Sequence, residues 1–415
     1  MPDGGQLTLR EIGRAAGAER LRVTGLFAGI GGIELGLHTA GHTTELLCEL
    51  DDAASTVLGA HFDVPISRDI RKLRIGSVPD SEVLAGGFPC QDLSQAGRTA
   101  GIRGRQSGLV DEMFRLMEGM RPEPRWVLFE NVPFMLRLER GEAMRYLTET
   151  LSAKGYIWAY RIVDTRAFGL PQRRQRVIML ASRVDDPRRV LFADDAGERL
   201  RDETKGTSYG FYWTEGVRGL GWGVDCVPTL KGGSTVGIPS PPAIWMPDGK
   251  FILPDIRDAE RLQGFPANWT RAARNESRRP DAPRWKLIGN AVSVPVARWV
   301  GRCLANPRRP VDARQSLLES GKRWPIAAWG AEGEAYSYDI SSWPKAYRPK
   351  SLGGFLKHPG TPLSLRAATG FRARTKRASL RFRPEFLEAL DAYIASRGGD
   401  PRAITEHTGR RRQPA

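Results

Sequence analysis

The chain has 415 residues, 40% hydrophobic and 27% charged, with a formal net charge of +16 and four cysteines. That length exceeds one small core and predicts two or three domains. No apolar run approaches the roughly 20 residues that span a bilayer. The cysteines, Cys48, Cys90, Cys226 and Cys303, are scattered without a CxxC pair, so neither a disulfide framework nor a zinc site is supported, and no metal is expected. The basic excess calls for a polyanionic partner, most simply nucleic acid.

Residues 1–20 are polar and Gly-rich, read as a flexible N-terminus without a signal-peptide apolar region, so the expected compartment is the cytoplasm. From Leu21 to Ser182 apolar strands alternate with amphipathic helices, the pattern of a doubly wound α/β sheet over 21–183. Strands are predicted over Arg22–Phe27, Glu45–Leu50, Glu82–Ala85, Trp126–Glu130, Ile157–Val163 and Arg176–Ala181. A helix is predicted between Glu142 and Lys154, where Met144, Leu147 and Leu151 share a face and Gly155 stops the run. Over 184–256 Gly, Pro, Trp and Thr rise and helical periodicity fades, which reads as a small inserted domain of short strands and turns. Helical pattern returns over 257–303, with helices near Ile256–Gln263 and Ser293–Leu304. Residues 304–415 read as a basic C-terminal extension: between Lys345 and Arg383 stand eleven Lys or Arg and no Asp or Glu. A short amphipathic helix, Glu385 to Ala395, follows. The extension is expected to add nonspecific phosphate affinity.

Two strand ends carry reactive groups. Val83-Leu84-Ala85 runs into Gly86-Gly87-Phe88-Pro89-Cys90-Gln91-Asp92-Leu93-Ser94, which sets a thiol where a buried strand turns. Trp126-Val127-Leu128-Phe129 ends in Glu130-Asn131. A nucleophile and an acid on two strand ends point to covalent catalysis with proton transfer. After the first strand, Phe27-Ala28-Gly29-Ile30-Gly31-Gly32 lets the backbone turn sharply and approach a ligand at a helix N-terminus. The third glycine of a dinucleotide fingerprint would fall at Glu34, so a pyrophosphate is disfavoured. Glu49-Leu50-Asp51 closes the second strand, where an acid can hold ribose hydroxyls, and Asp69 before Ile70 can reach an adenine amino group. A nucleoside without pyrophosphate fits best, of which S-adenosylmethionine is the common one.

In this order the motifs resemble the DNA (cytosine-5)-methyltransferases over about Val23 to Cys303. The match comprises the Phe27–Gly32 loop, Glu49, Asp69, Pro89-Cys90, Glu130-Asn131-Val132, Gln172-Arg173-Arg174-Gln175-Arg176, Arg261-Leu262-Gln263-Gly264-Phe265-Pro266 and Gly289-Asn290-Ala291-Val292. The resemblance implies a Rossmann-like, S-adenosylmethionine-dependent methyltransferase sheet, with a small target-recognition domain inserted between Arg176 and Arg261. It implies a cofactor pocket of Phe27, Gly29, Gly31, Glu49, Leu50, Asp69, Ile70, Gly87, Leu109, Asn290 and Val292. It also implies that Cys90 attacks carbon 6 of a flipped cytosine and that Glu130 protonates N3. Arg176 would then bind O2, Arg174 would orient the acid, and the Phe88 carbonyl would read the exocyclic amine. Gln91, Ser94 and Arg98 would close on the DNA, and Thr229 and Lys231 would lie near it. The implied partner is double-stranded DNA, bound by a monomer at the bacterial nucleoid, and the implied setting is a restriction-modification system or an orphan methylase. An RNA methyltransferase is disfavoured because the tRNA-acting branch carries a Cys-Phe-Thr tripeptide that is absent here. A nicotinamide oxidoreductase leaves Cys90 and the basic charge unexplained.

Overall fold

A computed structural model describes residues 19–88, 108–217, 219–233, 241–319, 321–348 and 350–401. The first part of the chain runs β1 (Arg22–Leu26), α1 (Gly32–Thr39), β2 (Thr43–Cys48), α2 (Asp52–His61), β3 (Ile66–Ser67), β4 (Val83–Gly86), α3 (Gly108–Gly119), β5 (Trp126–Asn131), α4 (Glu142–Ala153), β6 (Ile157–Asp164), β7 (Gln172–Arg173) and β8 (Gln175–Ser182). The apolar runs become strands because a parallel sheet covered on both faces demands them: every residue of β4 and β5 is buried. Pairing is parallel from β3 through β2, β1 and β4 to β5, and β8 then lies antiparallel between β5 and β6. The strand order reverses between β1 and β4, so a crevice opens at their carboxyl ends. The α/β fold expected from the sequence is present.

The chain continues through α5 (Arg188–Leu191), β9 (Tyr209–Phe211), β10 (Trp222–Val224), β11 (Val227–Pro228), β12 (Ala243–Trp245), β13 (Phe251–Leu253), α6 (Ile256–Leu262), α7 (Ala282–Asn290) and α8 (Val294–Ala305). Helix α8 lies directly on α1: a Cβ on Gly36 would sit 2.4 Å from that of Ala297, so only glycine permits this approach. No described helix is long and apolar enough to cross a membrane.

The residues after Cys303 do not trail away from the two sheets. They form β14 (Gln315–Leu317), β15 (Ala327–Ala331), β16 (Glu334–Tyr338), α9 (Leu352–Phe355), β17 (Thr361–Pro362), α10 (Leu365–Thr375) and α11 (Pro384–Ser396). Strand β15 pairs antiparallel with β6, extending the large sheet to ten strands in the order β14-β16-β15-β6-β8-β5-β4-β1-β2-β3. Strand β17 pairs with β13 and completes a five-stranded antiparallel sheet, β10-β9-β12-β13-β17. Alternation divides that small sheet cleanly. Phe211, Ala243 and Phe251 face α10 and α11, burying Phe371, Phe386, Leu390 and Ile394 in one cluster. Ile244 and Ile252 face the other way, onto Leu262, Ile288, Leu352 and Phe355. The small domain is therefore assembled from two segments about a hundred residues apart. Without the second, its outer face would expose phenylalanines that are at most 1% accessible.

Candidate active site

A cavity of about 880 Å³ occupies the crevice at the ends of β1, β2, β4 and β5, with α7 as its far wall. Its lining gathers Phe27, Gly29, Glu49, Leu50, Asp69, Ile70, Gly87, Leu109 and Asn290 from the expected cofactor set, together with Phe88, Glu130 and Arg176. Of that set, Gly31 and Val292 do not line it. Gly31 has φ +81°, and a Cβ there would meet the Phe62 ring at 2.5 Å, while the Val292 carbonyl packs against Gly32. Both shape the loop from beneath.

The wall near β2 suits a nucleoside. Each oxygen of the Glu49 carboxylate accepts one backbone N–H, from Gly29 at 2.7 Å and from Asp51 at 2.8 Å. That fixes its orientation and leaves lone pairs for hydroxyls. Gly29 has φ +57° and open space where a Cβ would stand. Leu50 is 64% exposed, an apolar surface left bare beside the cavity, as a purine face requires. Asp69 accepts from the Arg71 backbone and guanidinium, which hold its carboxyl below the usual range. The sequence reading missed Lys286, whose ammonium meets Asp51 at 2.8 Å on the cavity rim. Its position four residues before Asn290 in one helix was the available signal.

Across the cavity, Glu130, the last residue but one of β5, pairs with Arg176, Nε to Oε1 at 2.9 Å. Burial raises the Glu130 carboxyl above its ordinary value, and the Arg176 and Arg174 charges pull it back only in part. A Cβ on Gly87 would sit 3.0 Å from Glu130 Oε2, so the glycine keeps this corner open. The Phe88 carbonyl already accepts from Asn131 Nδ2 at 3.2 Å, which holds it at the pocket edge with a lone pair to spare.

The Arg174 charge acts on the Glu130 carboxyl, while its hydrogen bonds go elsewhere. Its side chain is fully buried and donates to the carbonyls of Leu230 at 3.0 Å, Gly289 at 3.2 Å and Ala291 at 2.6 Å. It bolts the insert and the returning segment to the sheet, while Arg176 alone holds the acid by hydrogen bond. Gln172 does similar work, donating to the Leu262 carbonyl at 2.8 Å and accepting from Leu230 N at 2.9 Å. Gln263 ties Ile288 and Ser293 together in the same way. Much of these two motifs therefore assembles the site from beneath.

Thr229 and Lys231 make contacts within the protein. The Thr229 hydroxyl donates to the Arg173 carbonyl at 2.7 Å, and the Lys231 ammonium meets Glu215 at 3.2 Å and lies 4.3 Å from the centre of the Tyr212 ring. Cys90, Gln91, Ser94 and Arg98 lie outside the described residues. The described cysteines are buried, and burial pushes the thiols of Cys48 and Cys226 up to about 11 and raises that of Cys303. Thiols so disfavoured from ionising are poor nucleophiles.

A family model described as C-5 cytosine-specific DNA methylase matches residues 21–207. The type II methyltransferase M2.BsuMI of Bacillus subtilis is 48% identical over 382 residues, covering 89% of this chain and 97% of the relative. The type II methyltransferase M.HaeII of Haemophilus aegyptius is 26% identical over 309 residues, 68% of this chain and 92% of the relative. Among solved structures, the S. pombe Dnmt2 methyltransferase shares the fold with TM-score 0.50 and 17% identity, over 69% of this chain and 98% of its own.

Proposed function

The chain belongs to the C-5 cytosine-specific DNA methylases, and from that premise we propose that it methylates carbon 5 of a flipped-out cytosine in a short duplex DNA sequence, as the modification enzyme of a type II restriction-modification system. A stacked base cannot enter a cavity closed by β4, β5 and α7, so the target nucleotide leaves the helix at a cost of roughly a few kcal/mol. Cys90 is the nucleophile: its thiolate adds to carbon 6, which makes carbon 5 electron-rich. The charge that builds on the ring reaches N3, where the Glu130 carboxyl donates a proton. Its raised pKa keeps that proton available nearer neutrality. Arg176 donates to O2 of the same ring, a role supported by its pairing with Glu130. The free lone pair of the Phe88 carbonyl accepts from the exocyclic amine, which thymine lacks. Glu49, Leu50, Asp69 and Asn290 would hold S-adenosylmethionine, which would supply the methyl group to carbon 5. A base then takes the C5 proton, the freed electron pair re-forms the C5–C6 double bond, and the C6–S bond breaks to release Cys90 as thiolate.

The observation that carries this reading is a single cavity with nucleoside-binding features on one wall and a buried, arginine-paired acid on the other. Transfer of labelled methyl from S-adenosylmethionine to duplex DNA tests it. The parent should transfer and Cys90→Ala should not, since loss of a covalent nucleophile costs several orders of magnitude. Transfer to tRNA in preference to duplex DNA would reverse the substrate assignment.

A further inference from the structure

The C-terminal segment closes the small sheet, yet closure does not account for its charge. Of the cations between Lys345 and Arg383, Lys345 pairs with Asp194, Arg372 with Asp391 and Arg383 with Glu203. Among the described residues, Arg348, Lys350, Lys357, Arg366, Lys376, Arg377 and Arg381 are exposed and make no ion pair. Arg366 stands in the first turn of α10, which carries no acid, so it sits against the positive end of the helix dipole. Lys376, Arg377 and Arg381 lie one, two and six residues past the other end, with no acid between them. A segment needed only for its apolar face has no use for this arrangement, because uncompensated like charge destabilises the compact state.

The position of the cluster is informative. Arg374, at the end of α10, donates to the Trp213 carbonyl, and Trp213 Nε1 donates to the Pro241 carbonyl at 2.9 Å. The same loop carries Glu215, which pairs with Lys231. The Lys231 backbone packs against Gly289 so tightly that a Cβ there would stand 2.0 Å from its carbonyl carbon. Gly289 lines the cavity. A continuous chain of packed and hydrogen-bonded residues thus joins the cationic end of α10 to the edge of the active site.

We propose that Lys376, Arg377 and Arg381 form a binding surface for the phosphate backbone of duplex DNA, on the half of the small domain that the C-terminal segment supplies. This inference rests on the DNA-methylating reading above. It makes the segment part of the recognition domain, and its cations a fixed surface held by α10 and α11.

The test titrates the full-length chain with a random-sequence duplex at several KCl concentrations. Parent is compared with the combined variant Lys376→Ala, Arg377→Ala and Arg381→Ala, and with a control carrying Arg309→Ala and Arg314→Ala on the large domain. Each phosphate left without its cation should lower the slope of log affinity against log salt by about 0.9, so the slope of the combined variant should be smaller by about 2 to 3. Affinity near 0.1 M salt should fall at least tenfold, while S-adenosylmethionine affinity and the control's salt slope stay at parent values. A slope for the combined variant within about 0.5 of the parent, or an equal fall in the control, overturns the inference. If the parent neither methylates duplex DNA nor binds it in a salt-dependent way, the functional reading itself fails. If the parent does both and the combined variant matches it, only the surface assignment fails.

Discussion

Residues 21–182 build seven strands of the large sheet from consecutive crossovers and hairpins, whereas the small sheet takes β9, β10, β12 and β13 from residues 209–253 and waits for β17 at Thr361. The first region buries one face of its strands almost wholly with its own residues, and the other face is covered by Val296, Trp299, Val300 and Trp343. The second cannot bury Phe211 and Phe251 until α10 and α11 arrive from the C-terminal end. Chemistry follows the same division. The wall around Glu49 and the buried Glu130 belong to the first region, and α7 with the residue after it supplies the rest of the cavity lining. Arg174 and Gln172 join the two.

If this division holds, substitutions in the first region should damage chemistry without the fold, and substitutions in the second should do the reverse. Glu130→Gln should lower kcat by about 10²–10⁴ and leave cofactor affinity near parent, because it removes a proton donor and no cofactor-binding group. An equal loss of cofactor affinity would mean that Glu130 mainly shapes the pocket. Phe386→Ala, at a site with no accessible surface, should cost roughly 3–5 kcal/mol. The loss should appear as early melting of the small domain, with cofactor binding retained below that transition. Truncation after Leu356 should act in the same direction and abolish DNA methylation, so loss of activity on truncation is no measure of phosphate affinity.

The first region also stores a pH dependence. Glu34 lies under β1, where a Cβ on Gly25 would stand 2.2 Å from Glu34 Oε1, and neither carboxyl oxygen has a hydrogen-bond partner. Burial, with the nearby negative Glu49, raises this carboxyl to about 8. A group whose folded pKa lies above its unfolded value binds more protons in the folded state, so its stabilisation is full at low pH and is lost as pH rises towards 8. Parent stability should therefore fall by roughly 3–5 kcal/mol more than that of Glu34→Gln between pH 5 and pH 8. Parallel melting curves for the two proteins across that range would show Glu34 to be indifferent to its proton. The smallest effect is expected for Lys286→Ala. Its pairing with Asp51 is half exposed, with side-chain accessibilities of 55% and 33%, so cofactor affinity should change by about 1 kcal/mol or less. A hundredfold weakening would place the ammonium directly against the cofactor.

The strands of the large sheet up to Ser182 and the glycine loop after β1 were legible in the sequence because each depends on local pattern. Apolar runs of strand length ended in glycine or an acid, and helices lay between them. The second half of the small domain was not legible, since β13–β17 pairing joins residues about a hundred positions apart and nothing in a Thr-Pro dipeptide announces a strand. The charge of 345–383 was visible, but its composition resembled a solvated extension. The buried stripe Phe371, Phe386, Leu390 and Ile394 has meaning only once a partner sheet exists. The roles of Arg174 and Arg176 were hidden for another reason. The two stand two residues apart in one motif, but Arg174 lies between β7 and β8, and only the register Glu130↔Ile178 and Asn131↔Val177 brings Arg176 beside the acid.

The central claim is tested most directly by bisulfite sequencing of DNA from a host expressing this chain, beside a Cys90→Ala host. Cytosines methylated in one short recurring sequence, and unmethylated in the Cys90→Ala host, are the predicted result. Equal methylation in both hosts, or none in either with the protein folded and present, would contradict it.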